Sequence, residues 1–298
     1  MTSSTASTDA GIRRQNRLRS ARGFLRALFS RKITVVAAAV IAGFIFMAVF
    51  APIVAPYDPS ATDFAAYLQG PSSAHLLGTD AYGRDVLSRI IYGTQVSLII
   101  GLFAVCVACM VGTFLGMVSG YVGGVVDDLI CRLNEAINSL PQIVLAMALT
   151  AVFGVSIPNL AIILGISSMS GYVRMMRGQV LQVKNSDYVT AARLQGCSAL
   201  KIMFRHILPN ALSPIIVMMT QNVGGTILAE AGLSFLGLGI TSPTASWGTM
   251  VSEGKDFLLQ DPILALVPGL CVALLVVFLN VLGDGVRDAL DPRLRGEL

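Results

Sequence analysis

Few residues in this 298-residue sequence have types and spacing that could do chemistry, and the best placed of them is a serine. Gly165-Ile-Ser167 has the G-x-S pattern of a nucleophile in an intramembrane serine hydrolase. Such a serine needs a basic partner at membrane depth to take its proton. The two histidines, His75 and His206, lie outside every predicted span. The pattern therefore favours a Ser167 hydroxyl that bonds to a helical carbonyl, and hydrolysis is kept as an alternative.

The cysteines do not form a recognisable ligand set. Cys106 and Cys109 form a C-x-x-C on one face of a hydrophobic stretch, but no second Cys pair or His pair completes a metal or redox site. We expect no metal, no cofactor and no disulfide. The sequence also lacks the G-x-x-x-x-G-K-[ST] loop that would bind ATP phosphates.

Glu230 is the acidic residue most closely associated with a predicted span. It ends an apolar stretch and precedes a second apolar run, 231–240, that is too short to cross a membrane. We interpret this run as re-entrant or interfacial. Glu230, with Ser234 and Phe235 beside it, is a candidate for the outer gate of a translocation path. Equally, its carboxylate could accept backbone N–H groups of the following loop.

The composition is that of an integral membrane protein. Hydrophobic residues make up 54% of the chain and charged residues only 13%, about half the fraction usual in soluble domains. Long stretches without Asp, Glu, Lys or Arg follow one another, and the longest, 136–173, is divided by a turn-like Gly154-to-Pro158 segment. The pattern predicts an all-α domain over 33–283 with six spans at about 33–55, 94–118, 136–154, 158–175, 209–230 and 262–283.

The distribution of basic residues predicts the orientation. Of 21 Lys and Arg residues, 18 fall on one side of the predicted membrane, and only Arg84, Arg89 and Lys255 fall on the other. By the positive-inside rule, both termini are cytoplasmic. A basic, partly disordered leader (1–32) and a short tail (284–298) flank the membrane domain. The excess of positive charge reflects orientation and requires no nucleic-acid partner.

A basic segment between the fourth and fifth spans, residues 187–208, has the pattern of two short helices joined by a glycine; we call it the elbow. Asp187 is the expected N-cap of the first helix, Gly196 permits a left-handed turn, and Ser198 is the expected N-cap of the second. Pro209 suits the first turn of the next span. A polar helical element of this length on the cytoplasmic side predicts a docking surface.

Two further patterns concern packing. Gly112, Gly116 and Gly120 share one helix face and would allow close approach of another helix, either inside this bundle or at a subunit interface. The outer loop 77–89 is rich in turn formers and charges. We interpret it as a helix cap with a surface ion-pair cluster, in preference to a docking surface for an extracellular partner.

Three stretches together resemble the inner-membrane permeases of ABC importers for dipeptides, oligopeptides and nickel, specifically the C-type subunit. They are Leu77-Gly-Thr-Asp-Ala-Tyr-Gly-Arg-Asp-Val-Leu-Ser-Arg89; the elbow motif Ala191-Ala-Arg-Leu-Gln-Gly196 with Arg205-His-Ile-Leu-Pro-Asn210; and Leu233-Ser-Phe-Leu-Gly-Leu-Gly239 with Asn280-Val-Leu-Gly-Asp-Gly-Val-Arg-Asp-Ala-Leu-Asp-Pro292. The elbow is similar to the EAA loop of that family, although Thr190, Gln195 and Cys197 depart from the commoner residues.

The resemblance implies a MetI-like ABC permease fold in the bacterial cytoplasmic membrane and a transport subunit without catalytic residues. It implies a homologous second permease, two ATP-binding subunits and an extracytoplasmic substrate-binding protein as partners, beside membrane lipid. The small side chains of Ala191 and Ala192 would let an ATPase surface come close. The residues expected to couple to the ATPases are Tyr188, Ala191, Ala192, Arg193, Gly196, Ser198, Ile202, Arg205 and His206.

The cargo stays open between a dipeptide, a longer peptide, a glutathione-like molecule and a nickel chelate. Besides an intramembrane hydrolase at Ser167, a passive channel or scaffold is the remaining alternative.

Overall fold

The computed structural model describes residues 23–290, so the N-terminal part of the basic leader and the last eight residues of the tail lie outside it. The described part is built from helices and loops, with one isolated bridge between Thr79 and Asp85. The helices, numbered in chain order, are α1 Lys32–Val49, α2 Ala51–Val54, α3 Val86–Val122, α4 Gly124–Asn138, α5 Gln142–Phe153, α6 Ile157–Ser168, α7 Ser170–Val183, α8 Asp187–Leu194, α9 Ala199–Ile202, α10 Leu208–Phe235, α11 Trp247–Gly254 and α12 Ile263–Leu290.

Helix α3 is the central element. At 1.5 Å per residue its 37 residues extend about 55 Å, well beyond the ~30 Å hydrocarbon layer. It begins where the Asp85 carboxylate accepts the backbone N–H of Ser88 at 2.7 Å, and it ends at Gly123, whose φ is +72°. The predicted second span, 94–118, is therefore the middle of a longer helix that packs against α6, α7 and α10.

Within residues 23–290, four helical segments are long and apolar enough to cross a membrane: Lys32–Val49, Val86–Val122, Ala199–Phe235 and Ile263–Leu290. Helices α4 and α5 qualify only as a pair, and they are bent by 91° at their junction. The expected single helix over 136–154 is therefore wrong. Pro141 lacks the N–H that a continuous helix requires, and the chain turns there.

The predicted fourth span, 158–175, is also divided, into α6 and α7 on either side of Met169. Both helices pack along α3 and run in the same direction as it, because Gly165 lies against Ala104 and, farther along, Val180 lies against Gly120. The predicted fifth span, 209–230, is longer than expected. Helix α9, a π-helical stretch at Met203–Ile207 and α10 follow one another without a loop.

The largest apolar cluster surrounds Trp247, which is fully buried. Its indole N–H donates to the carbonyl of Ile90 at 3.0 Å, and its ring meets Phe44 edge-on, with centroids 5.6 Å apart. Gly93 lies against the indole, where a Cβ would be 2.8 Å from Trp247 Cδ1. These contacts join α1, α3 and α11 at the end of the bundle where α3 begins, beside the loops described below.

Candidate coupling elbow, outer loop and gate

The elbow has the two-helix geometry that its sequence predicts. Helix α8 ends in a Schellman motif: the N–H of Cys197 donates to the carbonyl of Ala192 at 3.1 Å, and that of Gly196 to Arg193 at 3.0 Å. Gly196 has φ +76°, as its type predicts, and the Ser198 hydroxyl accepts from the backbone N–H of Lys201. The prediction of Asp187 as the N-cap of α8 is wrong by one position.

Ser186 occupies the N-cap position, and Asp187 is the first residue of α8. Asp187 still lies in the first turn, where its negative charge suits the positive end of the helix.

One face of the elbow is buried against the bundle. Val189, Ala192, Ile202 and Ile207 pack in a cluster with side chains of α7 that include Val180. Ala192 is 5% exposed and Ile202 is 1% exposed. Within this chain, Ala192 and Ile202 are therefore packed against the bundle, and their predicted part in coupling stays a prediction. Ala192 lies on the apolar side of α8 and Ile202 on the apolar side of α9, and both anchor the elbow to the membrane domain.

The opposite face of the elbow is uncovered and apolar. Tyr188 is 44% exposed, Leu194 84%, Leu200 62% and Phe204 50%. Of the other predicted coupling residues, His206 is half-buried, and the remaining ones are exposed: Ala191, Arg193, Gly196, Ser198 and Arg205. Leu194, Leu200 and Phe204 were missed by the sequence analysis. The sequence feature that could have identified them is the presence of large apolar side chains on a basic segment predicted to be cytoplasmic.

Three contacts hold the bundle beneath the elbow. Arg177 of α7 makes a bidentate pair with Asp127 of α4, with both N···O distances 2.7 Å. Ser119, near the C-terminal end of α3, donates its hydroxyl to the same carboxylate. Lys184 then donates to the carbonyl of Gly120 at 3.1 Å. These bonds join α3, α4 and α7 directly before the elbow begins.

The glycine stripe lies inside this chain. A Cβ built on Gly112 would be 2.6 Å from the Cβ of Tyr172, and one on Gly120 would be 2.8 Å from that of Val180. Gly116 lies against the backbone carbonyl of Val173. Because these neighbours belong to α7, the absence of side chains lets α3 and α7 pack backbone to backbone.

The outer loop forms a buried ion-pair network. Asp80 is 2.6 Å from Arg84 Nε and 3.4 Å from Arg89 Nε, while Glu253 is 2.9 Å and 3.3 Å from their Nη2 atoms. Arg84 and Arg89 are only 2% and 1% exposed. The loop is thus a helix cap with an ion-pair cluster, but the cluster is buried rather than on the surface. Glu253 was missed because it lies on α11, far away in the sequence.

The expectation that Glu230 ends a helix is wrong, because Glu230 lies inside α10, which continues to Phe235. It is fully buried, and its carboxyl group accepts from Ser234 at 2.8 Å and from Ser97 at 3.3 Å. Its partners are thus hydroxyls and not backbone N–H groups of the next loop. Ser234 is buried as well, whereas Phe235 is 41% exposed at the helix end. The expected re-entrant run begins within α10, which closes with a left-handed Gly237.

The Ser167 hydroxyl donates to the carbonyl of Ile163 at 2.8 Å. This is the back-bonded geometry expected of a structural serine. His75 pairs with Asp85 at 2.9 Å in the outer loop, and His206 lies in the elbow, so both are far along the chain from Ser167. Within residues 23–290 no group of three His, Cys, Asp or Glu side chains could hold a metal ion.

Comparison with known proteins agrees with this architecture. Residues 112–296 match the family model described as the binding-protein-dependent transport system inner membrane component. Residues 21–71 match the N-terminal TM domain of oligopeptide transport permease C. The chain belongs to this permease family. It is therefore a multi-pass inner-membrane subunit of an ABC transporter and not itself an enzyme, and the resemblance found in the three motifs is confirmed.

Curated relatives cover nearly the whole permease. The dipeptide transport system permease DppC of Alkalihalophilus pseudofirmus is 40% identical over 91% of this chain and 89% of the relative. The di/tripeptide permease DppC of Pseudomonas aeruginosa is 43% identical over 84% and 85%. The glutathione transport system permease GsiD of Escherichia coli is 40% identical over 92% and 90%.

Among solved structures, an inward-facing MetNI methionine ABC transporter shares the fold of the permease with a TM-score of 0.56. The match covers 68% of this chain and 96% of that one, at 14% sequence identity. The fold of this ABC-transporter class therefore includes most of the helical bundle described above.

Proposed function

We propose that this chain is the C-type permease subunit of an ATP-driven importer of dipeptides or oligopeptides. Relatives named for dipeptide, di/tripeptide and glutathione transport, each about 40% identical, support a peptide-like cargo. A substrate-binding protein delivers the cargo at the outer face, and a homologous second permease completes the path.

The proposed topology has six spans with both termini in the cytoplasm. The four long segments, the bent α4–α5 pair and the consecutive α6–α7 pair supply six crossings. Together α6 and α7 span 27 positions, about 40 Å at helical rise, which exceeds the hydrocarbon thickness. This arrangement places the elbow on the basic, cytoplasmic side and the Asp80–Arg84–Arg89–Glu253 network outside.

The observation that carries the coupling role is the two-sided elbow. Its inner side is packed into the bundle, so a force on the elbow is transmitted to α7 and α10. Its outer side presents Leu194, Leu200 and Phe204 among basic residues. Burying large apolar side chains contributes about 1.5–3 kcal/mol each, which suits a stable contact with an ATPase subunit.

The test places a charge on this uncovered side. Leu194→Asp should reduce co-purification of the ATPase subunits and ATP-driven peptide uptake at least tenfold, with unchanged membrane insertion. Leu259→Asp is the matched control, because Leu259 is also a fully exposed leucine but lies in the loop before α12 on the opposite side. Wild-type ATPase association in Leu194→Asp would refute the proposed contact.

Orientation is tested separately by labelling single cysteines in a cysteine-free background. A membrane-impermeant maleimide added to intact cells should label Leu259→Cys but not Ala191→Cys, which becomes accessible only after permeabilisation. The reverse pattern would overturn the topology.

A further inference from the structure

A polar groove of about 300 Å³ lies between α5, α6, α7 and α10, at the lower end of the volumes typical of small-molecule sites. Among its lining residues are Gln142, Ser167, Ser168, Asn222, Gly225 and Thr226. The lining is uncharged: in the described chain no Asp, Glu, Lys, Arg or His contributes to it. None of these residues belongs to the elbow, the outer network or the glycine stripe.

The groove lies near the middle of the membrane domain. Asn222 is roughly 20 Å from either end of α10 at 1.5 Å per residue. The groove also lies beside two interruptions in the helices, at 139–141 and at Met169. Interrupted helices at membrane depth are tolerated only where they are buried in protein or line a water-filled cavity, and transporter sites are typically built there.

The groove is open in the isolated chain. Gly225 is exposed, and a Cβ built there would meet nothing within 4 Å. Residues 138–144, at the α4–α5 bend, are exposed as well. Polar side chains and a helix break at this depth cannot face lipid without cost, so this side of the bundle adjoins either an aqueous path or another subunit.

Three hydroxyl groups of the groove are oriented as acceptors. Ser167, Ser168 and Thr226 donate their hydroxyl hydrogens to helix carbonyls of Ile163, Leu164 and Asn222 at 2.8–2.9 Å. Their oxygen lone pairs remain available towards the groove.

Asn222 adds a carbonyl oxygen to this set. Its amide nitrogen donates to the Tyr172 hydroxyl at 3.1 Å, and that bond fixes which way the side chain points. The amide oxygen can then accept a hydrogen bond from a ligand in the groove.

We propose that this groove is one wall of the cargo site within the membrane, and that it binds the main-chain N–H groups and amino terminus of a short peptide. The neutral acceptors on the α6 and α10 sides of the groove accommodate peptide N–H donors of any sequence, while the amides of Asn138 and Gln142 offer donors as well. Because the groove carries no charged group, it does not select among charged side chains. This inference rests on the proposed importer function and assigns the cargo-contacting residues to it.

The first experiment fills the groove. The complete transporter, with its second permease, ATPases and binding protein, is reconstituted in liposomes, and uptake of labelled L-alanyl-L-alanine is measured. Gly225→Leu should lower uptake at least tenfold, compared between liposomes that contain equal amounts of the assembled transporter. Gly43→Leu is the matched control, since Gly43 is an exposed helical glycine of α1 that also has open space around it. Wild-type uptake in Gly225→Leu would overturn the proposal.

The second experiment tests recognition and does not depend on the first. Asn222→Ala should raise the peptide concentration for half-maximal uptake about three- to tenfold, as expected for one lost hydrogen bond. It should also reduce the preference for L-alanyl-L-alanine over its analogue methylated at the peptide nitrogen. Selection by the binding protein is common to all variants, so a change in this ratio reports on the permease.

A matched pair of substitutions isolates the groove hydroxyl. Thr226 and Thr94 each donate to a helix carbonyl at 2.9 Å, but only Thr226 lines the groove. Thr226→Val should change the ratio, and Thr94→Val should not. An unchanged ratio in both Asn222→Ala and Thr226→Val would show an unselective aqueous path and refute the inference. Absence of ATP-driven uptake in the wild type would instead refute the importer function itself.

Discussion

The buried network of the outer loop leads to a quantitative prediction for Glu253→Ala. This substitution removes the carboxylate that contacts Arg84 at 2.9 Å and Arg89 at 3.3 Å. The two buried guanidinium groups keep the carboxylate of Asp80 and neutral acceptors, which are the Ser242 hydroxyl and the carbonyls of Pro59 and Pro243. Removing one partner of a buried pair costs about 3–5 kcal/mol. The Glu253 side chain is 30% exposed, so water recovers part of this loss. We therefore expect a decrease of about 2–3 kcal/mol in the free energy of unfolding, at or below the lower end of that range.

The assay is thermal unfolding of the detergent-purified protein, followed by tryptophan fluorescence. Trp247 is the only tryptophan, and it lies on α11 with Glu253, so its emission reports this region. At about 2–4 °C per kcal/mol, the expected decrease in Tm is roughly 5–10 °C. Asp256→Ala is the control, because Asp256 is exposed, and changes at exposed positions of this kind stay within about 0.5 kcal/mol.

A double-mutant cycle with Arg84→Ala identifies the cause. If the pair acts as described, the double variant should be less destabilised than the sum of the single variants by at least about 1 kcal/mol. The reasoning is refuted if Glu253→Ala unfolds with the Tm of Asp256→Ala, or if the two substitutions are additive.

Three further outcomes are expected. Gly116→Val should lower the Tm and the yield of folded protein, because overpacking the α3–α7 contact costs about 1–3 kcal/mol. The control Gly43→Val should lower neither, and equal yields of the two variants would contradict the close approach of α3 and α7. Gly196→Asp should abolish peptide uptake and ATPase association without preventing membrane insertion, since a side chain at φ +76° costs about 1–2 kcal/mol. Gly196→Asn should have a milder effect. Full uptake in Gly196→Asp would be inconsistent with the left-handed turn. Arg177→Ala should leave Asp127 without its ion-pair partner and increase proteolysis at the α4 end of the bundle. Limited trypsin digestion of proteoliposomes measures this effect. An unchanged digestion pattern would argue against a stabilising role of the Arg177–Asp127 pair.

Local chemistry could be predicted from the sequence where neighbouring residues determine the outcome. Gly196, Ser198 and Pro209 behave as their types require, because a left-handed turn, a cap and a missing N–H are properties of short segments. Ser167 likewise bonds to its own helix.

Features that depend on distant parts of the chain could not be predicted in the same way. Glu253 meets Arg84 across 169 positions, and nothing in either local sequence signals the pairing. The burial of Ala192 depends on the position of α7. The polar groove could not be predicted for the same reason, because its residues come from separate helices. Among them, the sequence pattern marks only Ser167 as a candidate functional residue.

The absence of a loop between the second elbow helix and α10 has a mechanical consequence. Residues Ala199–Phe235 form one run of 37 residues, which is about 55 Å long at helical rise. Its N-terminal end starts just after the Gly196 turn, and its far end carries Glu230 and Phe235. A rod of this length that pivots by about 10° moves its tip by roughly 10 Å, enough to open or shut an aperture of peptide width without unfolding any turn of helix.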